Sequence, residues 1–152
     1  MPAWTPRSIR LVMNLWPPFV GAGIHITSIA NDWRAAAVEL RARPWNRNLH
    51  GTHFGGSLYM MSDPFWLLLL QHVLGRAYVV WDQAGEVLFV RPVHETVTAT
   101  FVLDDTVVTE IRAQADRGEP AAHWFSVELR TKTNALVARA RKRVHVRRAD
   151  AG

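Results

Sequence analysis

The residues of this sequence that are best suited to catalysis or binding lie in residues 48–64, NLHGTHFGGSLYMMSDP. Gly55 and Gly56 stand at the start of a long apolar stretch, where the first turn of a helix leaves backbone N–H groups free to bind an oxyanion. Glycine at such a position lets a ligand approach the backbone closely. Asp63 and Pro64 then interrupt the apolar stretch. Either Asp63 caps a helix that begins at Pro64, or it is a reactive carboxylate held against a surface from which water is excluded.

The spacing of these residues limits how they could act together. In an uninterrupted helix Gly56 and Asp63 share one face, because seven residues turn the helix by about 700°. They also lie roughly 10 Å apart along the axis. A substrate held at the Gly56 N–H therefore cannot reach Asp63 of the same helix, and a shared site requires two copies of the chain. Pro64 is expected to kink the helix beside the acid, because it removes a hydrogen bond to Met60.

Other polar residues around this segment have simpler interpretations. Asn48 either positions a reactant or turns the chain. His50 and His53 have the spacing of a metal pair, but no acid stands at ligand spacing beside them. Ser57 and Ser126 lack the strand–turn–helix context of a nucleophilic serine. We therefore expect no metal and no organic cofactor.

The elements that must position these residues follow from hydrophobic periodicity. A helix is predicted over about 7–16, two strands within 24–42, and a central helix over about 55–75 that is apolar on nearly every side and so must be buried. Four strands follow, with one short helix between the second and the third: 76–92, 95–104, 106–118 (the helix), 121–132 and 135–148. This order predicts one α+β domain over residues 1–152, with an antiparallel sheet wrapped around one long central helix.

Composition narrows the class of protein. The sequence contains no cysteine, which excludes disulfides and thiolate metal sites and suits a reducing compartment. Prolines interrupt the first residues, MPAWTPRSIRLVMNLWPPF, where a secretory signal would need an unbroken apolar stretch. The densest apolar run, residues 65–70, is far shorter than the roughly 20 residues of a membrane-spanning helix. We therefore expect a cytoplasmic protein without a membrane span.

The formal net charge of +5 lies largely in the segment ARARKRVHVRR, residues 138–148. In a strand the outward set would be Arg139, Arg141, Arg143, His145 and Arg147. The inward set would be Ala138, Ala140, Val144 and Val146. The basic face is a solvated strand surface, a site for phosphate groups, or a nucleic-acid surface. Nucleic acid is the least favoured of these, because no recognition motif accompanies the charge.

Several residues of the first segment also form a family motif. They are Asn48, Gly51-Thr52, Gly55-Gly56 and Asp63. In this order they resemble the motif of the hotdog-fold acyl-CoA thioesterases typified by the phenylacetic-acid-degradation enzyme. Four stretches resemble more closely a bacterial hotdog group of unknown function: NLWPPFVGAGI (14–24), WNRNLHGTHFGGSLYMMSDPF (45–65), YVVWDQAGEVLFVRP (78–92) and the C-terminal strand pair. The likeness covers almost the whole chain.

The resemblance implies hydrolysis of acyl-CoA or acyl-carrier thioesters by a homodimer or a dimer of dimers. It makes Asp63 the general base or nucleophile and the Gly56 N–H, supported by Gly55, the oxyanion donor. Asn48 would position water or the thioester. Asp82 aligns near a position that often contributes a hydroxyl to these sites, where a second acid either assists Asp63 or repels its charge.

The sequence departs from the family motif at one position. Phe54 stands where the motif has histidine, and His53 lies one place upstream. Phe54, His53 and Trp81 are therefore candidates for substrate binding rather than for chemistry, and the surrounding aromatic residues either fill the core or line an acyl tunnel. The departure keeps a second hypothesis open: a hotdog protein that binds an acyl or lipid ligand without turning it over.

Overall fold

The computed structural model of the protein describes residues 4–149. The helices are α1 (Pro6–Leu15), α2 (Pro17–Ala22), α3 (Gly55–Met60), α4 (Phe65–Leu74) and α5 (Asp105–Asp116). The strands are β1 (Ile24–Ile29), β2 (Ala35–Leu40), β3 (Tyr78–Phe89), β4 (Val97–Val102), β5 (Ala121–Thr131) and β6 (Leu136–Arg148). The strands form one antiparallel sheet in the order β1-β2-β4-β5-β6-β3. This confirms the predicted α+β class, with a sheet around a central helical segment.

The core lies between the inner face of the sheet and α4. The rings of Phe65 on α4 and Phe101 on β4 stack with centroids 4.7 Å apart, and Trp66 stacks on Phe125 of β5 at the same distance. The inward residues predicted for the C-terminal strand are buried, and Arg139, Arg141 and Arg143 are exposed. Alternation along the strand is therefore confirmed for β6.

The basic outer face of β6 is partly neutralised by acidic neighbours. Arg139 Nε donates to Glu128 on β5 at 3.1 Å, and Arg141 forms an ion pair with Glu86 on β3 at 3.3 Å. These pairings favour a solvated strand surface over a phosphate site, because the carboxylates already compensate two of the guanidinium groups.

The N-terminal region contains two helices where one was predicted. The two prolines after Trp16 end α1, but they also begin α2, since proline is well tolerated in the first turn of a helix. Gly23 caps the C-terminus of helix α2, with a φ of +82°. A Cβ atom there would lie 2.2 Å from Nδ2 of Asn46, so both the backbone angle and the space require glycine.

The central helix, predicted as one unit over 55–75, is broken into α3 and α4. Residues 61–64 form the turn between them. Pro64 has no N–H to donate to the Met60 carbonyl, and that carbonyl accepts from the Asp63 N–H instead, at 3.1 Å. The expected kink is therefore a complete break beside the acid, and the rotation and rise of an uninterrupted helix do not describe the path from Gly56 to Asp63.

Strand β3 forms one edge of the sheet. From Trp81 onward its side chains are exposed or half-buried, although several are large and apolar: Trp81, Leu88, Phe89 and, just beyond the strand, Val90. An apolar strand with an unpaired edge is a surface for association. Within residues 4–149, none of the helices has the length and apolar character needed to cross a membrane.

Candidate active site

The carboxylate of Asp63 does not cap helix α4. The N-cap of α4 is Pro64, and no side chain accepts a hydrogen bond from the first turn. Asp63 Oδ1 instead accepts a hydrogen bond from Nζ of Lys142, which lies on β6. The Asp63 side chain is 53 % exposed, so Oδ2 is available to a further donor. The capping interpretation of Asp63 is therefore wrong.

Lys142 is a functional candidate that the sequence reasoning missed. It occupies the inward position between Ala140 and Val144 on β6, where the residue is only 5 % exposed. Its Nζ donates both to Asp63 and to Oδ2 of Asp82 on β3, the latter at 3.0 Å. The signal was present in the alternation of β6, which places a lysine among small apolar residues on the core face.

The electrostatics of this cluster follow from burial and from the two acids. Burial lowers the pKa of Lys142, but the hydrogen bonds and charges of Asp63 and Asp82 together outweigh it, so the net shift of that pKa is upward. The amine therefore remains a cation. Asp82 Oδ1 is buried and has no partner among residues 4–149. The ammonium bridges the two acids, so they do not face each other as uncompensated charges.

A bulge in β3 gives the cluster its shape. The register with β6 shifts between Asp82 and Ala84, so that Gly85, not Ala84, stands opposite Lys142. The bulge therefore places both Asp82 and Gly85 on the inner face beside the lysine. A Cβ atom on Gly85 would lie 1.7 Å from Oη of Tyr59, a residue of α3. The missing side chain makes room for the Tyr59 ring, whose centroid is 5.4 Å from Lys142 Nζ.

Gly55, the first residue of α3, lines a different region. A cleft of about 310 Å³ contains Gly55 together with Asn48, Thr52, His53, Leu58 and residues 89–93. Neither Asp63 nor Asp82 is among the residues that line it. One protomer thus holds the acid cluster and the glycine cleft as separate sites.

Asn48 is fully engaged in shaping its own loop. Its Oδ1 accepts from the N–H groups of His50 at 2.9 Å and Thr52 at 3.2 Å, and its Nδ2 donates to Thr52 Oγ1 at 2.8 Å. These bonds favour the chain-turning interpretation of Asn48, because they leave its side-chain amide little hydrogen-bonding capacity for a reactant.

His53 is buried at the wall of the cleft. Its Nε2 lies 2.9 Å from the Glu95 carbonyl oxygen, which can only accept, so Nε2 carries the proton. Nδ1 is buried and has no partner within residues 4–149. Burial lowers the pKa of His53, which keeps the ring neutral. Among residues 4–149, no group of three His, Asp or Glu side chains is arranged to hold a metal ion.

Aromatic rings explain why residues 55 and 56 are glycines. A Cβ atom on Gly56 would lie 2.3 Å from the Phe54 ring, and one on Gly55 would lie 3.1 Å from the ring of Phe89. Phe54 is 59 % exposed and rests against Gly56. Trp81 lies beside His145, with ring centroids 4.0 Å apart, on the opposite face of the sheet from Asp82.

Solved structures with the same architecture come from several bacteria. A Pseudomonas aeruginosa protein of unknown function, described as a probable thioesterase, superposes with a TM-score of 0.78 at 14% identity, over 91% of this chain and 92% of that chain. A Haemophilus influenzae thioesterase gives a TM-score of 0.69 at 15% identity, over 96% and 92%. The Escherichia coli PaaI protein, from the phenylacetic acid degradation operon, gives 0.63 at 17% identity, over 91% and 90%.

At such low identity these likenesses establish the fold alone. No curated protein matches the sequence. The family model described as a domain of unknown function, DUF4442, matches residues 7–146. The chain therefore belongs to the DUF4442 family and has the hotdog fold of thioesterase-like proteins.

Proposed function

We propose that this protein hydrolyses acyl thioesters of coenzyme A or of a carrier protein. The observation that carries the proposal is the carboxylate of Asp63, which is half-exposed at the break in the central helix and fixed there by the buried Lys142. A carboxylate used only to cap α4 would need neither the lysine nor the bulge of β3. The thioesterases among the structures of the same fold add support.

Asp63 can drive the reaction in two ways. As a general base, it takes a proton from water while the water oxygen adds to the thioester carbonyl. The oxyanion then collapses, the C–S bond breaks, and the sulfur leaves as a thiol with that proton. As a nucleophile, the Asp63 oxygen adds to the carbonyl and expels the thiolate, and water then hydrolyses the acyl–aspartyl anhydride. Both routes give a carboxylic acid and a free thiol.

The oxyanion donor in this proposal is the Gly56 N–H, supported by Gly55, from a second copy of the chain. The cleft at Gly55 does not include the acid cluster of the same protomer, which supports a site that places the partner's α3 beside Asp63. The exposed apolar edge formed by β3 is suited to such an association, as a homodimer or within a dimer of dimers.

A second candidate function is acyl or lipid binding without turnover. The observation that favours it is the Phe54 ring, which stands at the position of the motif histidine. This ring rests against Gly56, where a substrate would have to approach the backbone closely. In that case the cleft of about 310 Å³ beside His53 holds an apolar chain, and Asp63 serves only the ion pair with Lys142.

Free-thiol release from short, long and aromatic acyl-CoA substrates separates the two functions. We expect turnover in the wild type and in the control variant Asp105→Asn, whose carboxylate is on the surface in an ion pair with Arg34. We expect no turnover in Asp63→Asn that is still folded. Full activity of Asp63→Asn would remove this acid from the mechanism. Saturable ligand binding with no turnover of any substrate would establish the binding function instead.

The shared site has its own test. Asp63→Asn and Gly56→Val, each inactive alone, are mixed after unfolding and refolded together. Mixed dimers contain one site with both groups intact, so partial activity returns. Activity that stays at zero after mixing would contradict a site built from two copies.

A further inference from the structure

The chain has two lysines, and they stand in opposite environments. Lys132 is on the surface with a side chain that is 64 % exposed. Lys142 is buried on the inner face of β6, in a segment whose other cations are arginine or histidine on the outer face or at its end. A compact ammonium can sit between two carboxylates in a confined space, whereas the planar fork of arginine needs more room.

Stability does not require a buried charge at this position. An ion pair taken out of water contributes little to folding, and a packed apolar side chain of similar volume often serves as well or better. The neighbours on the same face of β6, Ala140 and Val144, are small and apolar, so an apolar residue at position 142 would continue their pattern. A lysine at this position therefore points to a role in the site.

We propose that Lys142 is the positioning residue for Asp63 in the hydrolysis reaction, and that Asp82 anchors it to the edge strand. This inference rests on the proposed hydrolase function. Two of the three Nζ protons go to Asp63 Oδ1 and Asp82 Oδ2, and the Tyr59 ring lies within cation–π range of the same nitrogen. The protein thus holds the ammonium in place, and it does not need to touch the substrate.

The position of Asp63 explains why such an anchor is required. Asp63 lies in the turn between α3 and α4, where its side chain is half-exposed and makes no capping hydrogen bond to α4. Fixing one oxygen against Lys142 leaves Oδ2 in a defined direction toward a reactant. Misplacement of a reacting group by about 1 Å can lower a rate by as much as 100-fold, so a fixed direction matters for turnover.

The charged and titratable groups that face Asp63 come from three elements. They are Lys142 on β6, Asp82 on β3 and Tyr59 on α3. Arg141 and Arg143 point to the outer face. Without the ammonium, no cation would lie between the two carboxylates, so their mutual repulsion would move Asp63 away from its position.

Kinetics of Lys142→Met, Lys142→Arg and the surface control Lys132→Met test the inference. For Lys142→Met we expect kcat to fall by about 10-fold or more with KM changed by less than about 3-fold, since the loss is one of orientation rather than of substrate binding. Lys142→Arg keeps the charge but replaces the compact ammonium by a larger planar group, so its kcat still falls. Lys132→Met behaves as the wild type.

The outcomes separate this inference from the proposed function. Wild-type turnover with an unchanged kcat in Lys142→Met would overturn the positioning role and leave the hydrolase intact. No wild-type turnover would overturn both. If Lys142→Met does not fold, Asp82→Asn takes its place, because it removes the anchor and keeps the ammonium. A lowered kcat in Asp82→Asn supports the role, and a wild-type kcat contradicts it.

An NMR measurement verifies the ion pair in each variant without using activity. With selectively ¹³C-labelled lysine only Lys132 and Lys142 give side-chain signals. The pKa of Lys142 is raised by its two acids, so the Lys142 signal in Asp63→Asn and in Asp82→Asn changes at lower pH than in the wild type. A signal that titrates like that of Lys132 in all three proteins would contradict the ion pair and with it the inference.

Discussion

Substitution of Gly85 by alanine tests the packing around the candidate site. In an ordinary strand this change stabilises a protein by about 0.4–1 kcal/mol, because alanine restricts the unfolded chain. Gly85 has no positive φ that would disfavour alanine. A Cβ atom at this position would, however, lie 1.7 Å from Oη and 2.9 Å from Cζ of Tyr59. Since no real contact is that short, the Tyr59 ring must move.

The magnitude follows from two opposing contributions. Overpacking typically costs about 1–3 kcal/mol, and the lower part of that range applies because the atoms in the way belong to the end of a half-buried side chain. The displaced ring also gives up its place near Lys142 Nζ, a contact worth about 0.5–1 kcal/mol. Against the gain from restricting the unfolded chain, the net expectation is a loss of about 1 kcal/mol in the free energy of unfolding.

Urea unfolding at one protein concentration measures this loss in a double-mutant cycle. In the background Tyr59→Leu the obstruction is gone, so Gly85→Ala should change sign and stabilise the protein by up to about 1 kcal/mol. Gly21→Ala is the matched control: a Cβ atom there meets nothing within 4 Å, and it should stabilise helix α2. Equal effects of Gly85→Ala in both backgrounds would refute the placement of Tyr59.

Three further predictions use other parts of the molecule. Gly23→Ala should lower the free energy of unfolding by about 2 kcal/mol or more and so reduce Tm, because it combines a φ of +82° with a clash against Asn46. Burial lowers the pKa of His53, so the unfolded state binds more protons and stability falls as the pH drops through the ordinary value of 6.5. The difference between the urea midpoints at about pH 8 and about pH 5 should therefore be smaller in His53→Gln than in the wild type. The raised pKa of Lys142 contributes stability that is complete below its ordinary value of 10.5 and is lost as the pH rises through the folded-state value. Lys142→Met should lack that alkaline loss in unfolding curves recorded at increasing pH.

Local patterns predicted the α+β class and the six strands. Alternation identified the buried residues Ala140, Val144 and Val146 on β6, since side chains of a strand point in turn to opposite faces. The continuous apolar character of residues 65–70 identified α4 as the buried helix. Pro64 marked a local disturbance, but the sequence did not reveal that the Asp63 N–H would replace the missing donor at Met60 and complete the break.

The partners of Asp63 could not be predicted from local patterns. Regular alternation along β3 puts Asp82 and Ala84 on one face, whereas the bulge puts Asp82 and Gly85 there. That register is decided by the pairing of β3 with β6, two strands far apart in the sequence. The pairing brings Lys142 between the two acids, and it could not be inferred from either strand alone.

The position of β6 in the chain has a consequence for how the protein folds. Strand β6 pairs with both β5 and β3, and residues 90–135 separate it from β3. During synthesis the apolar strand β3 is complete well before its partner exists, so folding depends on a late, long-range pairing. Amides of β3 should accordingly gain protection in pulsed hydrogen exchange no earlier than those of β6, and earlier protection would contradict this order. Because β6 also carries Lys142, the step that closes the sheet is the same step that assembles the charged cluster around Asp63.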